Sequence, residues 1–138
     1  MIRVYLADAR PQQRSVLGLL LLGLRMELAG EAADWPTTRA QAPLTRPDLL
    51  LVDWSLLPAQ PSAALSDLRL GCPGIIRVLL LGRMDNRHQA ALSAGADGFI
   101  SRAERPERVA EHLRVAADSI RSQERQSKLR LYNMYPGT

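Results

Sequence analysis

Two short, almost unbroken aliphatic stretches constrain this 138-residue chain most: Leu49-Leu50-Leu51-Val52, closed by Asp53, and Ile75–Leu81. Neither alternates apolar with polar residues, as a strand with one wet face does. Strands this short and this apolar belong in a parallel sheet covered on both faces. The surrounding segments supply the covering. Ile2–Ala7 reads as a further strand, followed by Asp8; Pro11 then suits the first turn of a helix running from Gln12 to about Arg25. That helix is so rich in leucine that burial on most sides is expected. Glu27–Ala33 is a weak strand, and Thr37–Ala42 a short helix bounded by Pro36 and Pro43. Pro61–Leu70 and Asp85–Ser93 read as helices, Asp97–Ser101 as a short strand. Pro106 opens a last helix, with Val109, Leu113, Ala116, Ala117 and Ile120 on one face. Beyond Ile120 the apolar stripe stops. Residues 122–138 are therefore read as a helical extension or linker, and 1–121 as the folded unit.

Strand and helix thus alternate about five times, which implies a parallel sheet with helices on both faces and right-handed crossovers. In such open sheets, sites lie beyond the carboxyl ends of the strands. That rule selects Asp8, Asp53, Gly82 and Arg102. Two carboxylates converging there are unfavourable without a cation.

Composition excludes several classes. With 46% apolar residues the chain buries a real core, and with only 4% aromatics that core is aliphatic. A lone Cys72 excludes a disulfide framework and a cysteine-based zinc site, and fits a reduced, cytoplasmic setting. His88 and His112 each stand without a second ligand at metal-binding spacing. The apolar run Val16–Leu24 falls far short of the ~20 residues that span a bilayer. Ser15, Ser55 and Ser66 lack the context of a nucleophile, and Gly71-Cys72-Pro73-Gly74 is a turn, not a phosphate loop. Cys72 is expected near the surface, Trp35 to cap the second helix, and Trp54 to lie at the pocket mouth. Net charge is +4; residues 102–138 hold 8 basic against 5 acidic side chains, residues 1–101 10 against 9.

The stretches Ile2–Asp8, Pro47–Asp53 and Ala94-Gly95-Ala96-Asp97-Gly98-Phe99-Ile100 resemble the receiver domain of bacterial response regulators over about residues 1–120. The likeness is greatest to receivers that carry a C-terminal helix-turn-helix domain, the LuxR type. The resemblance implies a flavodoxin-like, doubly wound (βα)5 sandwich with strand order 2-1-3-4-5. It also implies a non-enzymatic signalling module in which Asp53 corresponds to the phosphoacceptor. Family members hold a divalent cation with an acidic pair after the first strand; here the pair reads Asp8-Ala9, and Ala9 removes the direct ligand. Arg10 follows and repels a cation further. The hydroxyl residue ending the fourth strand becomes Gly82, the lysine after the fifth becomes Arg102, and a frequent switch tyrosine becomes Phe99. Arginine is not equivalent to lysine at such a site.

These departures predict weak or absent Mg²⁺ binding, no other cofactor, and signalling independent of phosphorylation. An Arg102–Asp53 pair is expected to stand in for the switch. Two alternatives stay open: a receiver still phosphorylated at Asp53 that controls a DNA-binding output domain, and a pseudo-receiver holding a small ligand in space vacated at Ala9 and Gly82. The resemblance further implies a homodimer, through either the face of the fourth helix, fifth strand and fifth helix or that of the first and fifth helices. A histidine kinase or output domain is the other expected partner. Membrane contact is not expected, nor direct nucleic-acid contact, because no recognition-helix pair is visible.

Overall fold

The computed structural model describes residues 1–75, 77–82, 88–102 and 104–134. Its elements are β1 (Arg3–Ala7), α1 (Pro11–Gly23), β2 (Glu27–Ala32), α2 (Trp35–Thr45), β3 (Leu49–Asp53), α3 (Pro61–Gly71), β4 (Arg77–Gly82), α4 (His88–Ser93), β5 (Gly98–Ser101) and α5 (Pro106–Met134). A single 3₁₀ turn, Trp54–Leu56, follows β3. The strands form one parallel sheet in the order β2-β1-β3-β4-β5.

Side-chain alternation along the strands divides the core in two. Leu49, Leu51, Leu79, Leu81 and Ile100 point to α1 and α5, where Leu17, Leu21, Leu113 and Ile120 meet them. Leu50, Val52, Val78, Leu80 and Phe99 point to the opposite face, where Trp35, Ala42, Leu65, Leu68 and Ala91 close over them. All five residues of β3 are buried, as its unbroken apolar run requires. Each leucine so buried contributes about 1.5–3 kcal/mol.

Several expectations are corrected. Helix α1 buries only Leu17 and Leu21, one turn apart; Val16, Leu19 and Leu22 are 50, 70 and 70% exposed. Its leucine density reflects two apolar faces, of which the sheet covers one. Helix α2 takes in both prolines instead of stopping at them. Pro36 sits in the first turn, where no N–H is needed. Pro43 lies two residues from the helix end, so it interrupts little of the ladder. The cap of α2 is Asp34, whose carboxylate accepts from the Thr37 N–H at 2.7 Å, while Trp35 is buried in the core. Cys72 is buried too, because the turn that carries it tucks its side chain into the same core cluster. Of the expected helix Asp85–Ser93, residues 85–87 lie outside the described residues, as does the His88 side chain.

Helix α5 continues unbroken to Met134. Its last buried side chain is Ile120, and every side chain from Arg121 to Met134 is exposed. Leu129, Leu131, Tyr132 and Met134 are exposed and do not dock on the domain. No helix among the described residues is long and apolar enough to cross a membrane.

Candidate functional site

The parallel sheet brings the ends of β1, β3, β4 and β5 to one edge, and the selected residues meet there. Asp8 directly follows β1 and is fully buried; Asp53 ends β3 and is 6% exposed. Arg102 follows β5, anchored by its backbone N–H donating to the Gly82 carbonyl at 2.7 Å. Its side chain, 10% exposed, enters between the two acids. Nη2 donates to Asp8 Oδ2 in a short contact and lies 3.2 Å from Asp53 Oδ1. The expected Arg102–Asp53 pair is therefore present, but the tighter bond goes to Asp8. One guanidinium bridges both carboxylates.

Other groups complete the enclosure. Asp8 Oδ1 accepts from the Arg10 backbone N–H at 2.9 Å, and the Arg10 guanidinium stands 3.8 Å away. Arg14 reaches from α1 to the Asp8 carbonyl at 2.6 Å and to Glu31 at 3.2 Å. Asp53 Oδ2 accepts from the Ser55 hydroxyl in another short contact. Ser55 is the site residue that reading the sequence missed. The available signal was its place two residues beyond the strand-ending acid, within reach of that carboxylate. Burial, first of all, holds the Asp53 carboxyl above its ordinary range, and the Asp8 charge adds to this; the Ser55 hydrogen bond and Arg10 act the other way.

Gly82 is not a vacancy. A Cβ placed on it would lie 2.7 and 2.9 Å from Cζ and Cε2 of Phe99. The Phe99 ring, 7% exposed, fills the space a serine or threonine side chain would take. Trp54 packs half-buried beside the same spot, its Cβ 3.9 Å from that hypothetical atom. Ala9 is exposed and brings no oxygen.

These residues do not fit a divalent cation. Mg²⁺ requires oxygen ligands in near-octahedral array. Here the carboxylate oxygens turn to Arg102, Arg10 and Ser55, and the second acid is absent. No cluster of three or more His, Cys, Asp or Glu suited to a metal occurs among the described residues. The edge is neutralised from within, by arginine. Two of Arg102's donors, Nε and Nη1, are buried without a partner among the described residues.

Superposition on solved structures decides the fold. A CheY-like receiver domain protein from Methanospirillum hungatei superposes with a TM-score of 0.72 at 18% identity, covering 89% of this chain and 98% of that one. This is a receiver fold. The isolated REC domain of RcsB from Salmonella enterica, in the presence of the phosphomimetic BeF3⁻, matches at 0.71 and 18% identity, over 85% of this chain and 88% of that one. The receiver domain of the response regulator NarL from Mycobacterium tuberculosis matches at 0.68 and 22%, over 85% and 96%. Against a longer RcsB chain the match covers 59% of that chain's length. No family model and no curated protein sequence matches.

Proposed function

We propose that this receiver-like module acts in signal transduction by protein–protein contact, is not catalytic, and does not depend on phosphorylation of Asp53. The observation that carries this reading is the Arg102 bridge across Asp8 and Asp53. Phosphoryl transfer to a carboxylate needs a cation to neutralise the moving charge. A guanidinium already bound to both acids competes with that cation. Ala9 and Gly82 withhold the remaining ligand and hydroxyl. Weak or absent Mg²⁺ binding belongs to the same proposal.

The test is incubation with acetyl phosphate, or beryllofluoride, and Mg²⁺, followed by intact mass and the fluorescence of Trp54. No adduct and no metal-dependent quenching are expected. A stoichiometric adduct abolished by Asp53→Asn would replace this reading with that of a working phosphoacceptor.

The contact we assign is a homodimer on the α1/α5 face, with an output domain or histidine kinase as further partner and the cytoplasm as its place. Val16, Leu19 and Leu22 form an exposed apolar strip on α1. The helix has one charged side chain, Arg14, and its guanidinium is engaged inward by Asp8 and Glu31. On α5, Arg114–Glu111 and Arg121–Asp118 alternate in sign, as a self-complementary surface requires. Light scattering is expected to give about twice the 15.3 kDa chain mass, and Leu19→Arg to return it to one chain. A monomer at all working concentrations would remove the dimer.

A further inference from the structure

Beyond Ile120, every side chain of α5 is exposed for 14 residues, Arg121 to Met134. At 1.5 Å per residue this is an exposed rod about 21 Å long. It carries Arg121, Arg125, Lys128 and Arg130 against one acid, Glu124. Arg121, Arg125, Lys128 and Tyr132 recur at spacings of four, three and four, so they share one face. Arg121 has Asp118 as partner at 3.4 Å. Arg125 has only the Ser122 hydroxyl at 3.4 Å, and Lys128 and Arg130 have no carboxylate partner among the described residues. At the root of the rod, Arg77 and Arg130 flank a polar notch of about 300 Å³ lined with serine and glutamine side chains of α5. Arg77 is held there by Ser119 Oγ at 2.5 Å and Gln123 Oε1 at 3.1 Å.

Such a helix is unfavourable by itself. Like charges at i,i+4 and i,i+3 repel, and no apolar face is buried in return. A second helix does not supply the remedy, because the positions that continue the buried stripe are Gln123, Glu124 and Ser127. A membrane surface does not either. Leu129 and Tyr132 lie on one side of the helix and Leu131 and Met134 on nearly the opposite one, so no single face is apolar. An acidic protein patch would meet one face only. Here the other faces carry amide and hydroxyl groups: Ser122, Gln126, Ser127, Asn133. A slender helix with Arg121, Arg125 and Lys128 along one side, Arg130 on the opposite side and hydrogen-bonding groups around it matches a nucleic-acid groove about 12 Å wide between two rows of phosphates.

We propose that the free end of α5 binds duplex DNA, chiefly through phosphate contacts from Arg121, Arg125, Lys128 and Arg130. The expectation against nucleic acid rested on the absence of a helix-turn-helix pair; a single free helix needs none. This inference does not depend on the phosphorylation or dimer readings: the rod lies outside the site, and although Arg121 also belongs to the proposed dimer face, the triple variant below leaves it in place.

The 138-residue chain would be titrated into a labelled duplex of about 24 base pairs and anisotropy followed. With about four phosphates neutralised, affinity is expected to fall about 100-fold between roughly 50 and 200 mM salt. The triple variant Arg125→Gln, Lys128→Gln, Arg130→Gln is expected to weaken binding at least about tenfold at low salt. Its slope of log affinity against log salt would be shallower by about 2.7. Circular dichroism would check that the variant keeps its helix, and helicity of the wild type should rise on adding DNA. Absence of binding at low salt, or a folded triple variant that binds as tightly as wild type, would overturn the proposal. So would equal affinity for polyglutamate or for anionic vesicles, which would assign the rod to an acidic protein or a lipid surface.

Discussion

Replacing Arg102 with methionine is expected to destabilise the fold by about 3–5 kcal/mol at neutral pH, the cost of leaving buried charge without its partner. Methionine keeps much of the volume, so the loss reads charge more than cavity. Asp8 is fully buried and Asp53 nearly so; without the guanidinium they face each other across the sheet edge. The penalty has a definite pH dependence. The folded-state Asp53 carboxyl already sits above its ordinary range through burial and the Asp8 charge, and losing Arg102 raises it further. The folded variant then binds a proton that the unfolded chain does not, between the ordinary carboxylate range and that raised value. Stability of the variant is therefore highest at low pH and falls as pH rises through this window. Urea unfolding at about pH 5 and pH 7 measures both features. A loss below about 1 kcal/mol at pH 7, or one of equal size at both pH values, would show that Arg102 does not neutralise the pair. Nε and Nη1, which have no partner among the described residues, offset part of the worth of the bridge. Arg102→Lys carries fewer such donors. Its effect should be smaller than that of methionine, because one ammonium still reaches at least one acid.

The fold was legible where burial is total. Leu49–Val52 is apolar without interruption because both faces of β3 are covered, and this leaves a trace in sequence that an edge strand such as Glu27–Ala32 does not. Helix α1 was misread for the converse reason. A run of leucines states that side chains are apolar but not what lies beside them, and the sheet offers α1 only one face. Pro36 and Pro43 do not bound α2 as their sequence suggests, because proline is excluded only where its missing N–H would break the helix interior. At the site, Asp8, Asp53, Gly82 and Arg102 are legible because chain order places them at strand ends, and Phe99, inside β5, only through the family resemblance. Their contacts were not found in full, since these depend on side-chain reach across strands. Arg102 was paired with Asp53 alone, and its closer bond to Asp8 spans 94 positions of sequence. Ser55 was set aside as a nucleophile and is instead a hydrogen-bond donor to Asp53.

The second large effect concerns Gly82 and Phe99, and it bears on whether the ordinary receiver chemistry can be restored by putting a hydroxyl back. In the β4–β5 register Phe99 pairs with Leu80, so its ring leans two residues forward, over Gly82 on the same face. Gly82→Thr therefore inserts atoms into space the ring already holds, at distances of 2.7 and 2.9 Å for the Cβ alone. Overpacking of this kind costs about 1–3 kcal/mol. Phe99→Ala by itself empties the same space and is expected to cost about 3–5 kcal/mol. In the double variant the threonine grows into the volume the ring has left, so the two losses should not add. A coupling of about 1–3 kcal/mol in favour of the double variant is expected from a cycle of unfolding midpoints. Additivity within about 0.5 kcal/mol would mean that the ring and residue 82 are not competing for one volume. The argument extends to function. The Phe99 ring packed over Gly82 occupies the space a hydroxyl-bearing side chain at the end of the fourth strand would need. Under the proposed phosphorylation-independent reading, Arg102 holds its positive charge at the site at all times. Restoring one element without the others is expected to destabilise the protein before it restores any response to a phosphodonor.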